Sequence, residues 1–176
     1  MKRKSKRKIG IFLGRLQPQH RGHEMMIEKI FEENDEVILC IGSAQKIRKS
    51  DPLAERNPLP VSARIERLKS FLEAGSFEKP YKIVAAIDIE PDSEWPMHLK
   101  KSCGLDDSSI NTVYFGDPIP KEYEEGMKKA GFELKFIKRK KFLYRTAKNS
   151  LHKISSATEI RALERDEFSS RPETIA

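Results

Sequence analysis

Two cysteines, one tryptophan and four histidines are all that this chain of 176 residues contains of those types. Cys40 lies in the apolar run VILCIG and Cys103 in KKSCGL, too few and too dispersed for a disulfide framework or a thiolate metal site. Such cysteine usage fits a reducing, cytoplasmic setting. No apolar run reaches the ~20 residues that a membrane-spanning helix needs, and none follows the basic N-terminus at the length of a signal-peptide core. Internal repeats are absent as well. Net charge is scarcer than the pI of about 9.4 implies. Six of the first eight residues, MKRKSKRK, are basic, and the rest of the chain holds 28 basic and 27 acidic residues. A near-neutral body argues against nucleic acid as the main partner. The expectation is a disordered basic tail over 1–8 followed by one domain over 9–176.

What is present is alternation. Apolar runs of strand length, IGIFL (9–13), VILCIG (37–42), YKIVAAI (81–87), TVYF (112–115) and ELKFI (133–137), are separated by HEMMIEKIFEEN, SARIERLKSFLEAG, SEWPMHLKKS and KEYEEGMKKAG. The intervening segments place apolar residues near i, i+3 and i+4, and most close on Gly or Asn. Strands that are apolar almost throughout are buried on both faces, which requires parallel pairing and helical crossovers. The fold class is therefore a doubly wound, Rossmann-like α/β fold, a parallel sheet of about five strands with helices on both faces. Ligands of such sheets bind beyond the carboxyl ends of the strands. Two segments leave strands there: GRLQPQH after the first, and the polar, aperiodic AQKIRKSDPLAERNPLP (44–60) after the second.

Two constellations could carry chemistry at that edge. In GRLQPQHRGH (14–23), His20 precedes the first helix and His23 falls in its first turn. A helix N-terminus offers free N–H groups and roughly half a positive charge, a ready site for phosphate. In KISSATEIRALERD (153–166), Ser156 and Glu159 have capping-box spacing, Ser155 and Thr158 add hydroxyls, and Arg161 adds a guanidinium suited to bidentate phosphate contact.

Together these motifs resemble the nucleotidyltransferases of the HxGH superfamily. With GSAQ (42–45), NPLPVSAR (57–64), DIEPDSEW (88–95), VYFGDP (113–118) and SATEIR (156–161), the chain is similar in order and spacing to the archaeal-type nicotinamide-nucleotide adenylyltransferases across nearly all of residues 9–163. That resemblance implies attack of the 5′-phosphate of nicotinamide mononucleotide (NMN) on the α-phosphorus of ATP, giving NAD and pyrophosphate. It implies Arg15, His20, His23 and Arg161 as catalytic residues. It implies Gly14, Gly116, Asp117, Ser156 and Thr158, with His20, His23 and Arg161, at the ATP. For NMN it implies Trp95 stacking on the nicotinamide ring, with Asp88, Ser43 and the loop arginine Arg48 nearby; Arg56 is the second candidate for that arginine. It implies Mg²⁺ carried by the triphosphate and requiring few protein carboxylates, with no metal ligand assigned. The family also implies a homo-oligomer and no membrane partner.

Three positions depart from the family pattern: Leu16 stands where Phe is common, Asp117 where Asn is, and Ala157 where Gly is. An ionised Asp117 only accepts hydrogen bonds, where Asn would also donate. Three alternatives stay open: an HxGH transferase with another nucleotide or acceptor, a nucleotide sensor, and a nucleic-acid-binding module using MKRKSKRK and IKRKK (137–141).

Overall fold

The structure, a computed structural model, describes residues 6–46, 54, 57–138, 141–145, 149–154 and 156–169. Strands and helices alternate as β1 (Lys8–Gly14), α1 (Arg21–Glu33), β2 (Glu36–Ile41), α2 (Val61–Gly75), β3 (Tyr81–Ala85), α3 (Trp95–Ser102), β4 (Ile110–Phe115), α4 (Lys121–Lys129) and β5 (Glu133–Phe136). These five strands are all parallel, in the order β3-β2-β1-β4-β5. The doubly wound class expected from the alternation is the one observed.

Successive side chains of a strand point to opposite faces, so the central strands feed two cores. Phe12, Val37, Leu39 and Ile41 pack with Ile27 and Ile30 of α1 and Leu68 and Leu72 of α2. On the other face, Ile9, Ile11, Ile38, Cys40 and Val113 pack with Leu99 of α3 and Met127 of α4. Each such fully buried aliphatic side chain contributes roughly 1.5–3 kcal/mol. Helix α1 lies close on β1: a Cβ at Gly10 would come within 2.4 Å of both Ile30 Cγ2 and Asn34 Nδ2. Asn34 ends α1 by donating from Nδ2 to the Ile30 carbonyl at 2.8 Å and to Tyr114 Oη at 2.8 Å. The Tyr114 hydroxyl in turn donates to Glu33. Burial pushes the Tyr114 phenol up to about 12, while Lys135 Nζ, donating at 2.7 Å, holds the Glu33 carboxyl below its ordinary value.

Two features go beyond those expectations. Within the basic run, Lys8 opens β1, the Ile110 N–H donates to the Arg7 carbonyl, and Lys6 Nζ donates to the Asp107 carbonyl. A basic residue at a strand end is compatible with pairing because the ladder uses its backbone and leaves its charge in water. Residues 1–5 lie outside the described residues. The second is an antiparallel pair, β6 (Phe142–Arg145) with β7 (Leu151–Ile154), which the sequence reading did not mark as strands. This pair precedes α5 (Ala157–Ser169).

Candidate functional site

A cleft of about 390 Å³ opens at the carboxyl ends of β1 and β4, where the sheet order reverses direction. Sequence order places ligands at such a switch point in open parallel sheets. Its lining draws on six separate parts of the chain: the end of β1 with the loop and helix start that follow it, the loop after β2, the approach to α3, the loop after β4, α4, and the start of α5.

The first wall is built by α1. His20 is its N-cap, in extended backbone conformation, and accepts at Nδ1 from the Gly22 N–H at 3.1 Å. The His20 N–H donates to His23 Nδ1 at 3.3 Å, so the two histidines form a reciprocal capping box. Their rings stack with centroids 3.7 Å apart. Because backbone N–H groups can only donate, both Nδ1 atoms must be unprotonated acceptors, and each neutral ring carries its proton on Nε2. The three-residue spacing of HxGH thus has a local cause: it is the spacing of a capping box, with imidazoles in place of the usual hydroxyl and carboxylate. A protonated pair would forfeit both caps, since each Nδ1 would then carry a proton.

The opposite wall is the first turn of α5. Ser156 and Glu159 form the expected capping box, each backbone N–H donating to the other's side chain at 3.3 Å. Arg161 reaches from this helix to the first loop, donating to the Gln17 carbonyl and, at 3.1 Å, to Thr158 Oγ1. Burial, with Arg15 and Arg165 nearby, lowers the Arg161 guanidinium from its ordinary value, yet an arginine remains charged at any working pH. Two helix N-termini and the Arg15 and Arg161 cations therefore line one cavity.

At the other end of the cleft stand Ser43, Asp88 and Trp95. Ser43 Oγ donates to Asp88 Oδ1 at 3.1 Å and Gln45 Nε2 to Asp88 Oδ2 at 2.8 Å, which aims the carboxylate. Trp95, in the first turn of α3, lies 6.0 Å from the Tyr123 ring, centroid to centroid. Tyr123 also lines the cleft, and burial raises its phenol pKa, so it presents a neutral hydroxyl.

Of the residues singled out from sequence, Gly14, Arg15, His20, His23, Ser43, Asp88, Trp95, Gly116, Ser156, Thr158 and Arg161 line this cleft. A Cβ on Gly14 would meet the Phe12 ring at 2.7 Å, so this glycine also serves packing. Asp117 does not line it; it is exposed in a neighbouring depression with Phe115, Ile119 and Leu134. Arg48, its alternative Arg56, and Ser155 lie outside the described residues. Sequence reading passed over Tyr123, for which it holds no signal, and Arg64, which sits inside the quoted NPLPVSAR stretch.

A model of the cytidylyltransferase-like family matches residues 11–163. The chain belongs to that family. Among its relatives, the nicotinamide-nucleotide adenylyltransferase of Pyrococcus horikoshii is 41% identical over 86 residues, covering 49% of this chain and 44% of that enzyme. The enzyme of the same name from Methanococcus aeolicus is 32% identical over 125 residues, or 71% of this chain and 64% of that one. The match to the first of these thus spans about half of the relative's length. In fold, the chain is similar to a bifunctional NMN adenylyltransferase/ADP ribose pyrophosphatase from Francisella tularensis, with a TM-score of 0.65 at 19% identity over 89% of this chain and 42% of that one. A Francisella tularensis protein of that description has been solved with AMP and a manganese ion.

Proposed function

We propose that this member of the cytidylyltransferase-like family is an adenylyltransferase that joins ATP and nicotinamide mononucleotide into NAD and releases pyrophosphate. The observation that carries the reading is the convergence of two capped helix N-termini, α1 and α5, with Arg15 and Arg161 on one cleft at the sheet's switch point. The names of the archaeal relatives support it.

The reaction asks a protein for alignment and charge stabilisation rather than covalent participation. In this reading the Nε2–H groups of His20 and His23, with the α1 N-terminus, hold the phosphate oxygens around the reacting phosphorus. Neutral donors suit the task, since they offer directed hydrogen bonds without displacing the caps that orient them. Arg15 aligns the attacking NMN phosphate with the α-phosphorus. Arg161, Thr158 and the Ser156 hydroxyl, at the α5 N-terminus, hold the β- and γ-phosphates and stabilise the charge that grows on the departing pyrophosphate. Gly116 borders the adenosine. Trp95 stacks on the nicotinamide, and the carboxylate of Asp88, aimed by Ser43 and Gln45, accepts from the carboxamide N–H₂. The same carboxylate repels the carboxylate of a nicotinic acid ring, which favours the nicotinamide form.

A divalent ion, Mg²⁺ in this reading, accompanies the nucleotide. Asp88 is the one carboxylate among the described residues that line the cleft and already takes Ser43 and Gln45, and no group of three or more His, Cys, Asp or Glu among the described residues is placed to hold an ion. These donors fit an ion carried by the triphosphate rather than one caged by side chains. When bound, it neutralises phosphate charge.

Pyrophosphate release with Mg²⁺-ATP and NMN, beside nicotinic acid mononucleotide and CTP, tests the proposal on wild type and His23→Ala. NAD formation from ATP and NMN, with kcat reduced ~100-fold or more in the variant, is the expected result. No turnover of any pair overturns it, and preference for CTP moves the chain to a different transferase of its family.

A further inference from the structure

Arg64, in the first turn of α2, is 2% exposed. Its guanidinium has no carboxylate partner among the described residues. Instead Nη1 donates to the Arg15 carbonyl at 2.9 Å and the Gly42 carbonyl at 2.8 Å, and Nη2 to the Ser43 carbonyl at 2.9 Å. Nε, also buried, has no hydrogen-bond partner among the described residues. Removing the guanidinium would leave those carbonyls without their donor, so the arginine stabilises the fold. Burial and the nearby Arg15 oppose its charge, and Asp88 favours it without a hydrogen bond, so a guanidinium is a costly way to satisfy three carbonyls unless their placement matters.

Two of its acceptors precede a residue in left-handed backbone conformation, and the third, the Ser43 carbonyl, belongs to one. Leu16 has φ 54° and follows Arg15; Ser43 has φ 49° and follows Gly42. Neither is glycine, so each conformation costs about 1–2 kcal/mol locally and persists only where its surroundings impose it. Both residues belong to the walls of the cleft, Leu16 in the loop after β1 and Ser43 in the loop after β2. One planar fork spans the two loops, which lysine's single nitrogen could not reproduce. A trans peptide also carries its N–H antiparallel to its C=O. Turning the Arg15 and Gly42 carbonyls onto Arg64 thus turns the Leu16 and Ser43 N–H groups away from it, while its charge polarises both peptide units in the sense that strengthens them as donors.

We infer that Arg64 is a positioning residue for phosphoryl transfer: without touching substrate, it locks the Arg15–Leu16 and Gly42–Ser43 peptides in the strained register that aligns Arg15 and Ser43 with the two nucleotides. The inference rests on the adenylyltransferase reading. Gln17 works beside it, exchanging two hydrogen bonds with the backbone of Leu59, both at 2.9 Å. The first loop is thereby tied to the segment that leads into α2.

The test compares wild type, Arg64→Met and Arg64→Lys by melting temperature and by kcat and KM for ATP and NMN. Loss of these carbonyl bonds lowers the melting temperature whether the residue is structural or positioning; only a positioning residue also changes kcat per folded molecule. Arg64→Met is expected to melt below wild type with kcat per folded molecule lowered ~100-fold, the scale of a 1 Å misplacement at a reacting centre, and with the two KM values changed far less. Arg64→Lys, which keeps the charge but gathers its donors on one nitrogen, is expected to recover part of that kcat. Wild-type kcat in Arg64→Met overturns the inference, and so does loss of folded protein in both variants. An active wild type with indifferent Arg64 variants leaves the adenylyltransferase reading intact; an inactive wild type removes that reading and this inference with it.

Discussion

His20 and His23 are asked to do two things with one ring each. Nδ1 closes a helix turn, and the same bond fixes the tautomer that makes Nε2 a donor. The two roles separate by substitution, because asparagine is among the strongest N-caps and lacks an imidazole. His20→Ala is expected to lose about 0.5–2 kcal/mol of stability as an N-cap deletion, and His20→Asn to melt close to wild type, while both lose most of their turnover. Thermal melts beside kcat on the two variants check this; a fully active His20→Asn would reduce the residue to a cap. The histidine spacing was readable from sequence, since it is local. What Nδ1 bonds to was not, because several acceptors compete for a loop N–H until the backbone is set.

Helix ends show how far elements depend on distant chain. Helix α1 has no basic residue in its last turn. Its terminal carbonyls are met by Lys79, which donates to Phe31 at 2.5 Å and Asn34 at 2.7 Å from the segment leading into β3. Lys82 likewise reaches the Cys103 carbonyl beyond α3, and Lys100 the Ala130 carbonyl beyond α4. Three lysines that composition counts as solvated charge serve as caps for helices other than their own. Lys79→Met is expected to destabilise the fold by about 1.5–3 kcal/mol, the range for hydrogen bonds from a charged donor, with m unchanged in urea unfolding; an unchanged midpoint would mean water replaces the cap without loss. Strands β1 to β5 were legible as nearly continuous apolar runs, and helices α1 to α4 by their helical period. The β6–β7 pair was not: Leu143 and Leu151 are 66% and 53% exposed, and Ile154 alone among its described side chains is buried, so the core leaves little mark on its sequence.

At the scale of the molecule, the cleft is closed across 144 residues of chain by the Arg161 contact with the Gln17 carbonyl. Helix α5 is thus docked through the residues proposed to bind nucleotide, and binding should feed back on stability. Mg²⁺-ATP at ~100 times its Kd is expected to stabilise the fold by about 2.7 kcal/mol, through preferential binding to the folded state. Arg161→Met should lose most of that shift, and chelating the metal should lower it, as followed by melting temperature against ATP concentration. Equal shifts in wild type and variant would detach Arg161 from the nucleotide.

Sequence alone determined the alternation, the two-faced burial and the positions of both capped helix starts, all of which depend on neighbours within a turn or on a period along one strand. It also placed most of the cleft-lining residues, because its motifs sit where strands end. Tertiary structure decided the rest. Only the parallel order β3-β2-β1-β4-β5 brings the ends of β1 and β4 together, and only packing shows Asp117 turning to a neighbouring depression while Tyr123 joins the cleft. Arg64 makes the distinction plainest: in sequence it is one of many cations on a helix-period segment, and its role exists only because two loops fold their carbonyls onto it. Local energies select helices and strands, whereas a hydrogen bond between residues far apart in the chain forms only after the whole sheet has set the distance between its ends.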